Sequence, residues 1–174
     1  MLDALKKQVC AANKALIRHG LVTLTFGNVS GCDRKRGIMA IKPSGVDYGA
    51  LTYQDIVLVA FDGCKVEGKL NPSSDTPTHL ALYRAFEGIG GVTHTHSTYA
   101  TAFAQARREI PCFGTTHADH FNGAVPVTRM LREKEIVGEY EKNTGNVIVE
   151  RFVRLEAGKP SVTLTTTAEL ADRL

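Results

Sequence analysis

Apolar residues at the start of the chain recur at a helical interval. Leu2, Leu5, Val9, Ala12 and Leu16 alternate steps of three and four, which lines one face of a helix, and Gly20 supplies its stop. The period then changes. "LVTLTFGNVSG", 21–31, has the β-branched alternation of a strand, and "NVSGCDRKRGIMAIKPSG", 28–45, predicts a hairpin that turns near "DRKRG". "IVLVAF", 56–61, reads as a buried strand, and "DGCKVEGKLNPSS", 62–74, as turn and loop with one short strand. A second helix is expected from "SSDTPTHLALYRAF", where Ser, Asp and Thr can cap and Pro77 suits a first turn. His79, Leu82, Tyr83 and Phe86 share its inner face. "GIGGVTHTH", 88–96, predicts a strand ending in two histidines, followed by a helix over "STYATAFAQARRE" capped by Ser97 or Thr98. "CFGTTHADHF" is irregular, "LREKEIVGEYEKN" helical, and "GNVIVERF", 145–152, a strand. After Phe152 the character shifts, and one strand and a terminal helix are expected.

Strands and helices thus alternate, with an early hairpin. That order predicts an α/β layered domain with a mixed sheet, and 174 residues suit one domain. The net charge of +3 is small, and no basic stripe with interleaved aromatics argues for nucleic acid. The longest purely apolar run, 56–61, is too short to span a bilayer. Cys10, Cys32, Cys64 and Cys112 are far apart and form no C-x-x-C, so free thiols in a reducing compartment are expected. A soluble, cytoplasmic protein without a signal peptide follows.

Several stretches carry chemistry. In a strand, residues two apart share a face, so His94 and His96 can converge on one ion. Imidazole suits zinc, and also iron, nickel or copper, although such a pair can equally be bonded to backbone or water. Ser73, Ser74 and Asp75 precede a helix, where hydroxyls and free N–H groups favour an anion; Asp75 can be a cap, a metal ligand or a general base. Lys42, Ser44 and Gly45 in "IKPSGVDYG" form either a phosphate cradle or an ordinary turn, and Asn28 between Gly27 and Gly31 binds phosphate or braces the turn. "GTTHADHF" packs Thr115, Thr116, His117, Asp119 and His120 into one segment; Asp119 can move protons, or the segment is a solvated loop.

Together, "LVTLTFGNVSG", "IKPSGVDY", "PSSDTPTH", "GGVTHTHSTYATAFAQA", "GTTHADHF" and "GEYEKNTGNVIVE" resemble, in order and spacing, the epimerase branch of the class II aldolase/epimerase family, the L-ribulose-5-phosphate 4-epimerases. "SSD" favours that branch, since the related aldolases usually carry Glu there. The resemblance covers residues 1–152, with the C-terminal part missing or divergent from 153. It implies a three-layer αβα domain with a central mixed, largely antiparallel sheet, and a homotetramer with active sites between subunits. It implies one divalent ion per subunit, usually zinc, held by His94, His96 and a third histidine from a later strand, with Asp75 beside it. Asn28, Lys42, Ser44, Gly45, Ser73 and Ser74 match the phosphate-binding positions. Asp119 matches a proton-transfer acid, Thr115 the first Thr of its loop, and Glu139 a further active-site acid. The substrate implied is a small sugar phosphate, with neither nucleic acid nor membrane as partner. Relatives also use a C-terminal tyrosine as proton donor; the last histidine here is His120 and the last tyrosine Tyr140. A sugar-phosphate aldolase, or an inactive homologue that binds phosphate ligands or an intact subunit, are the alternative readings.

Overall fold

The computed structural model describes residues 2–121 and 123–158. Its first helix, α1 (Leu2–Arg18), is the amphipathic element expected, with Val9, Cys10 and Leu16 buried. Five strands follow: β1 (Asn28–Asp33), β2 (Ile38–Ile41), β3 (Val57–Ala60), β4 (Lys65–Glu67) and β5 (Gly91–His94). They form one sheet in the order β4-β3-β2-β1-β5. Every pairing is antiparallel, so the parallel component expected of a mixed sheet is not present among the described strands. The chain leaves β4 at one edge, runs through helix α2 (Thr76–Ala85), and returns as β5 at the other edge.

The alternation of side chains sorts the core into two layers. Met39, Ile41, Val57 and Val59 point to the α2 side and pack with Leu80 and Tyr83. Ala40 and Leu58, the residues between, pack with Val9, Cys10, Leu51 and Ile56 beneath α1. Each fully buried aliphatic side chain is worth roughly 1.5–3 kcal/mol, so these paired clusters drive the helices onto the sheet. Further helices are α3 (Thr98–Gln105), the short α4 (Thr115–Ala118) and α5 (Glu133–Val137), and α6 (Tyr140–Gly158). Among the described residues no helix is long and apolar enough to cross a membrane.

Three expectations about these elements are corrected. The strand predicted from Leu21 begins only at Asn28, because Leu24 (φ 55°) and Gly27 (φ 78°) take left-handed conformations that a strand does not accommodate. The strand predicted to end in both histidines stops at His94. "DRKRG" is the hairpin turn expected, and from it Arg34 folds inward and donates to the carbonyls of Tyr83, Phe86 and Ile89, closing the C-terminal end of α2. "GNVIVERF" is helix, not strand. Its β-branched residues yield to packing: Thr78 Oγ1 donates to Glu141 O at 2.5 Å, and Phe86 meets Phe152 edge-on. Between those contacts lies Gly145. Of the tail expected after Phe152, residues up to Gly158 extend α6, and the remainder lies outside the described residues.

A Cβ at Gly145 would stand 2.7 Å from Ala81 Cβ and 3.0 Å from Thr78 O. Gly145→Ala should therefore destabilise the fold. The helix-propensity gain of about 1 kcal/mol is outweighed by about 1–3 kcal/mol of overpacking, since the obstacle includes α2 backbone. Urea denaturation checks this; a variant more stable than the parent would show that α2 and α6 separate freely.

Candidate metal and phosphate site

β1 and β5 pair so that Asn28 lies directly opposite His94. Directly paired residues share a sheet face, and here both side chains meet the residue that opens α2. Asp75 Oδ2 accepts from Asn28 Nδ2 at 2.6 Å, from His94 Nδ1 at 2.9 Å and, more distantly, from Ser73 Oγ at 3.4 Å. Ser73 Oγ also accepts from Asn28 Nδ2 at 3.2 Å and from Asp75 N at 3.2 Å. The hydrogen bond from His94, helped by its charge and by Asn28, holds the Asp75 carboxyl down at about 2. The same bond raises the pKa of His94. Asp75 is thus a carboxylate at neutral pH, His94 Nδ1 carries the shared proton, and Nε2 is the nitrogen left to face a ligand.

His96 lies two residues beyond the strand, yet its ring comes within 4.8 Å of the His94 ring, centroid to centroid. Phe26 stacks on its other side at 5.8 Å. Gly27 lets the segment before β1 run close against the end of β5, since a Cβ there would fall 2.8 Å from His94 O. An open cleft of about 430 Å³ lies over the pair, lined by His94, Thr95, His96, Thr101, Ala104 and Gln105.

This donor set fits a divalent ion. Two adjacent imidazoles offer borderline-soft nitrogens, and a carboxylate on the far nitrogen of one ring fixes its tautomer, as metal-ligating histidines require. All the bonds to Asp75 converge on Oδ2, so Oδ1 is the oxygen of that carboxylate that can turn toward an ion. Among the described residues no group of three or more His, Cys, Asp and Glu side chains is itself assembled as a metal site.

The phosphate-binding candidates are brought together as a strap. Pro43 and Pro72 form an antiparallel bridge, Ser44 N donates to Asn71 O and Ser73 N to Lys42 O, both at 3.0 Å. This sets Lys42, Ser44 and Gly45 alongside Ser73 and Ser74. Gly45 sits at φ 68°, a conformation that favours glycine. Ser44 and Ser74 are exposed, whereas Lys42 is buried, its Nζ 4.8 Å from the centre of the Tyr48 ring. Burial lowers the pKa of Lys42 and raises that of Tyr48 to about 12. Asn28 directs its amide donor at Ser73 in the strap and at Asp75 beside His94, which makes it the bridge between strap and imidazoles.

Three candidates stand apart. Thr115 opens α4 and Asp119 follows it; both are exposed. Glu139 is exposed and pairs with Lys142 at 2.7 Å. Among the described residues, no hydrogen bond or ion pair joins any of the three to His94, His96 or Asp75. The acid that does sense the site is Glu141: burial first, then the negative charge of Asp75, raises its pKa, opposed by His94. Its place follows from the Thr78–Glu141 bond, which sets the first turn of α6 beside the first turn of α2. A helical reading of "GEYEKNTGNVIVE" would have exposed this signal, since Glu141, Gly145 and Phe152 lie on one helix face.

Comparison with known proteins shows the family and the fold. The profile of the class II aldolase and adducin N-terminal domain matches residues 7–164. The L-ribulose-5-phosphate 4-epimerase UlaF of Salmonella paratyphi B is 57% identical over 155 residues, which span 89% of this chain and 68% of that protein. UlaF of Salmonella typhi matches to the same extent. Among solved structures, an L-fuculose 1-phosphate aldolase superposes with a TM-score of 0.70 at 29% identity, over 82% of this chain and 68% of that one. YgbL of Klebsiella pneumoniae shares the fold, with a TM-score of 0.66 at 24% identity over 82% and 69% of the two chains. From hairpin to histidine pair, then, this chain belongs to the class II aldolase and adducin N-terminal domain family.

Proposed function

We propose that the protein is a metal-dependent epimerase that inverts carbon four of L-ribulose 5-phosphate to give D-xylulose 5-phosphate. The observation that carries this reading is the His94 ring, tied through Nδ1 to an ionised Asp75 and lying against His96. The 57% identity to the named epimerases, and Asp rather than Glu at position 75, select epimerisation over aldol cleavage within the family.

His94 and His96 would hold the ion, zinc by preference of their nitrogens, with Asp75 beside them. Once bound, it supplies Lewis acidity to the ketose carbonyl and the adjacent hydroxyl. Asp75 keeps His94 in the Nδ1–H tautomer and keeps negative charge next to the reacting oxygens. Lys42, Ser44, Gly45, Ser73 and Ser74 grip the phosphate, and Asn28 couples that grip to Asp75. A phosphate at the strap would add counter-charge beside the buried Lys42 ammonium, whose burial the charge of Asp47 only partly offsets. The bond between carbons three and four breaks to leave a dihydroxyacetone fragment and glycolaldehyde phosphate, the aldehyde group of the latter turns, and the bond reforms on its other face. Phosphate contacts retain the glycolaldehyde phosphate fragment meanwhile, so binding remote from the chemistry prevents its loss. Asp119 takes and returns the proton of the hydroxyl on carbon four, with Thr115 and Glu139 as further active-site groups. Their exposure, away from the imidazole pair of their own chain, suits a homotetramer with active sites between subunits. The free cysteines Cys10, Cys32, Cys64 and Cys112 suit a reducing, cytoplasmic setting.

Metal analysis and two assays test the proposal. The purified protein should hold close to one zinc per chain and lose it in a His94→Ala/His96→Ala double variant. It should epimerise L-ribulose 5-phosphate and leave L-fuculose 1-phosphate intact. Cleavage of the latter alone would make it an aldolase; a folded protein acting on neither would make it an inactive homologue.

A further inference from the structure

Beneath the site, β1 and α2 are joined by polar groups where apolar packing is the ordinary solution. Asn28 and Ser30 are two apart on β1 and point to the same face. Asp75, His79 and Tyr83 are four apart along the start and body of α2 and form one stripe facing them. The stripe and the strand bond in sequence. Asn28 meets Asp75 at 2.6 Å, and Ser30 Oγ meets both His79 Nδ1 at 2.7 Å and Tyr83 OH at 2.8 Å. Ser30, His79 and Tyr83 are each at most 1% exposed, and His79 Nε2 is buried without a partner.

We propose that Ser30, His79 and Tyr83 are positioning residues that set the register of α2 against β1, and so place the Asp75 carboxylate between Asn28 and His94. The inference rests on the epimerase reading for its kinetic consequence, though not for its structural one. Leu80 and the sheet residues it covers hold α2 down, but apolar contact is non-directional and tolerates sliding and rotation. Hydrogen bonds do not tolerate either, because they weaken steeply with distance and angle. A slip of one residue turns a helix by about 100° and moves it about 1.5 Å, enough to carry Asp75 off both its partners. Asp75 itself makes no side-chain capping bond to α2, so its carboxylate is not anchored by its own helix. A buried hydroxyl shared by two helix residues one turn apart fixes both the rotation and the rise of α2.

An apolar replacement of the whole trio separates positioning from mere stability. When both partners of a buried hydrogen bond are replaced together, stability changes little; when one is removed, the other is left unpaired. Ser30→Ala/His79→Leu/Tyr83→Phe should therefore keep a urea midpoint near the parent's, yet lose about tenfold in kcat on L-ribulose 5-phosphate with KM within twofold. In ¹⁵N spectra of the histidine rings of the full chain, the His94 Nδ1–H signal should shift from its hydrogen-bonded position toward that of a weakly bonded N–H. Tyr83→Phe alone removes one hydroxyl and keeps the ring, and should show a smaller shift in the same direction. If the triple variant fails to fold, this single variant decides. An unchanged His94 signal in the variant that decides overturns the proposal, as does wild-type kcat in a folded triple variant. Should the parent show no epimerase activity while the His94 signal still moves, the epimerase reading falls and the positioning role stands.

Discussion

Asp75→Asn is expected to lower both zinc affinity and epimerase turnover by about 10- to 100-fold, the range that follows loss of a group orienting a metal-bound histidine. The substitution is nearly isosteric, so its effect comes from charge and polarity. Two donors, Asn28 Nδ2 and His94 Nδ1–H, aim at one oxygen of Asp75. An amide oxygen placed there accepts both, but a neutral acceptor holds them about half as strongly as a carboxylate. An amide nitrogen placed there sets donor against donor, and Asn28 cannot turn to help without pointing its carbonyl where its amide now reaches Ser73. His94 loses the bond and the charge that raise its pKa, and with them its fixed tautomer. Competition with a chelator reads the zinc affinity, and initial rates read turnover. Values within twofold of the parent on both would show that Asp75 neither orients His94 nor assists the reaction. Asp75→Glu is a useful companion: it restores the charge but adds a methylene, so it should recover affinity only in part.

How far the site could be read from residues alone depends on whether the signal is local. The stripe of α1 was legible because its period is written in five apolar positions, and the start of α2 because Pro77 and the residues before it mark a helix end. The two histidines were legible as a pair, but for a different reason than the spacing suggests. Alternation along a strand puts both on one face, whereas β5 ends at His94, and the rings meet with His96 beyond the strand, where Phe26 stacks on it. Glu141 carried no local signal because its place depends on α6 packing on α2, a contact no local window records. The β-branched "NVIV" reads as strand by propensity and is helix by burial. Ser30 and Asn13 carried no signal at all: each looks like an ordinary polar residue until its partner, far along the chain, comes beside it.

Asn13→Ala should cost about 2–5 kcal/mol, the largest stability effect expected of any single truncation in α1. Asn13 is fully buried on the inner side of α1, and its side chain behaves as a piece of sheet. Nδ2 donates to Val29 O at 2.8 Å, and Oδ1 accepts from Val29 N at 2.9 Å. Val29 lies one residue beyond the last pair between β1 and β2, Ser30 with Ile41, so Asn13 takes the place that a further strand residue would fill. A second bond, Nδ2 to Val9 O at 2.8 Å, holds the amide in that orientation. Alanine gains a few tenths of a kcal/mol in helix propensity but strands two buried backbone groups at about 1–3 kcal/mol each. Asn13→Asp should do no better, since it keeps the acceptor for Val29 N–H but sets a buried carboxylate against Val29 O. Urea unfolding should show a lower midpoint at an unchanged slope, and hydrogen exchange should quicken at the Val29 amide. A loss below about 1 kcal/mol, with the Val29 amide still protected, would mean that β1 is held in place by its neighbours without the helix. The consequence for chemistry is direct, because Val29 adjoins Asn28: the amide that closes the end of β1 also steadies the residue that bridges the phosphate strap to Asp75.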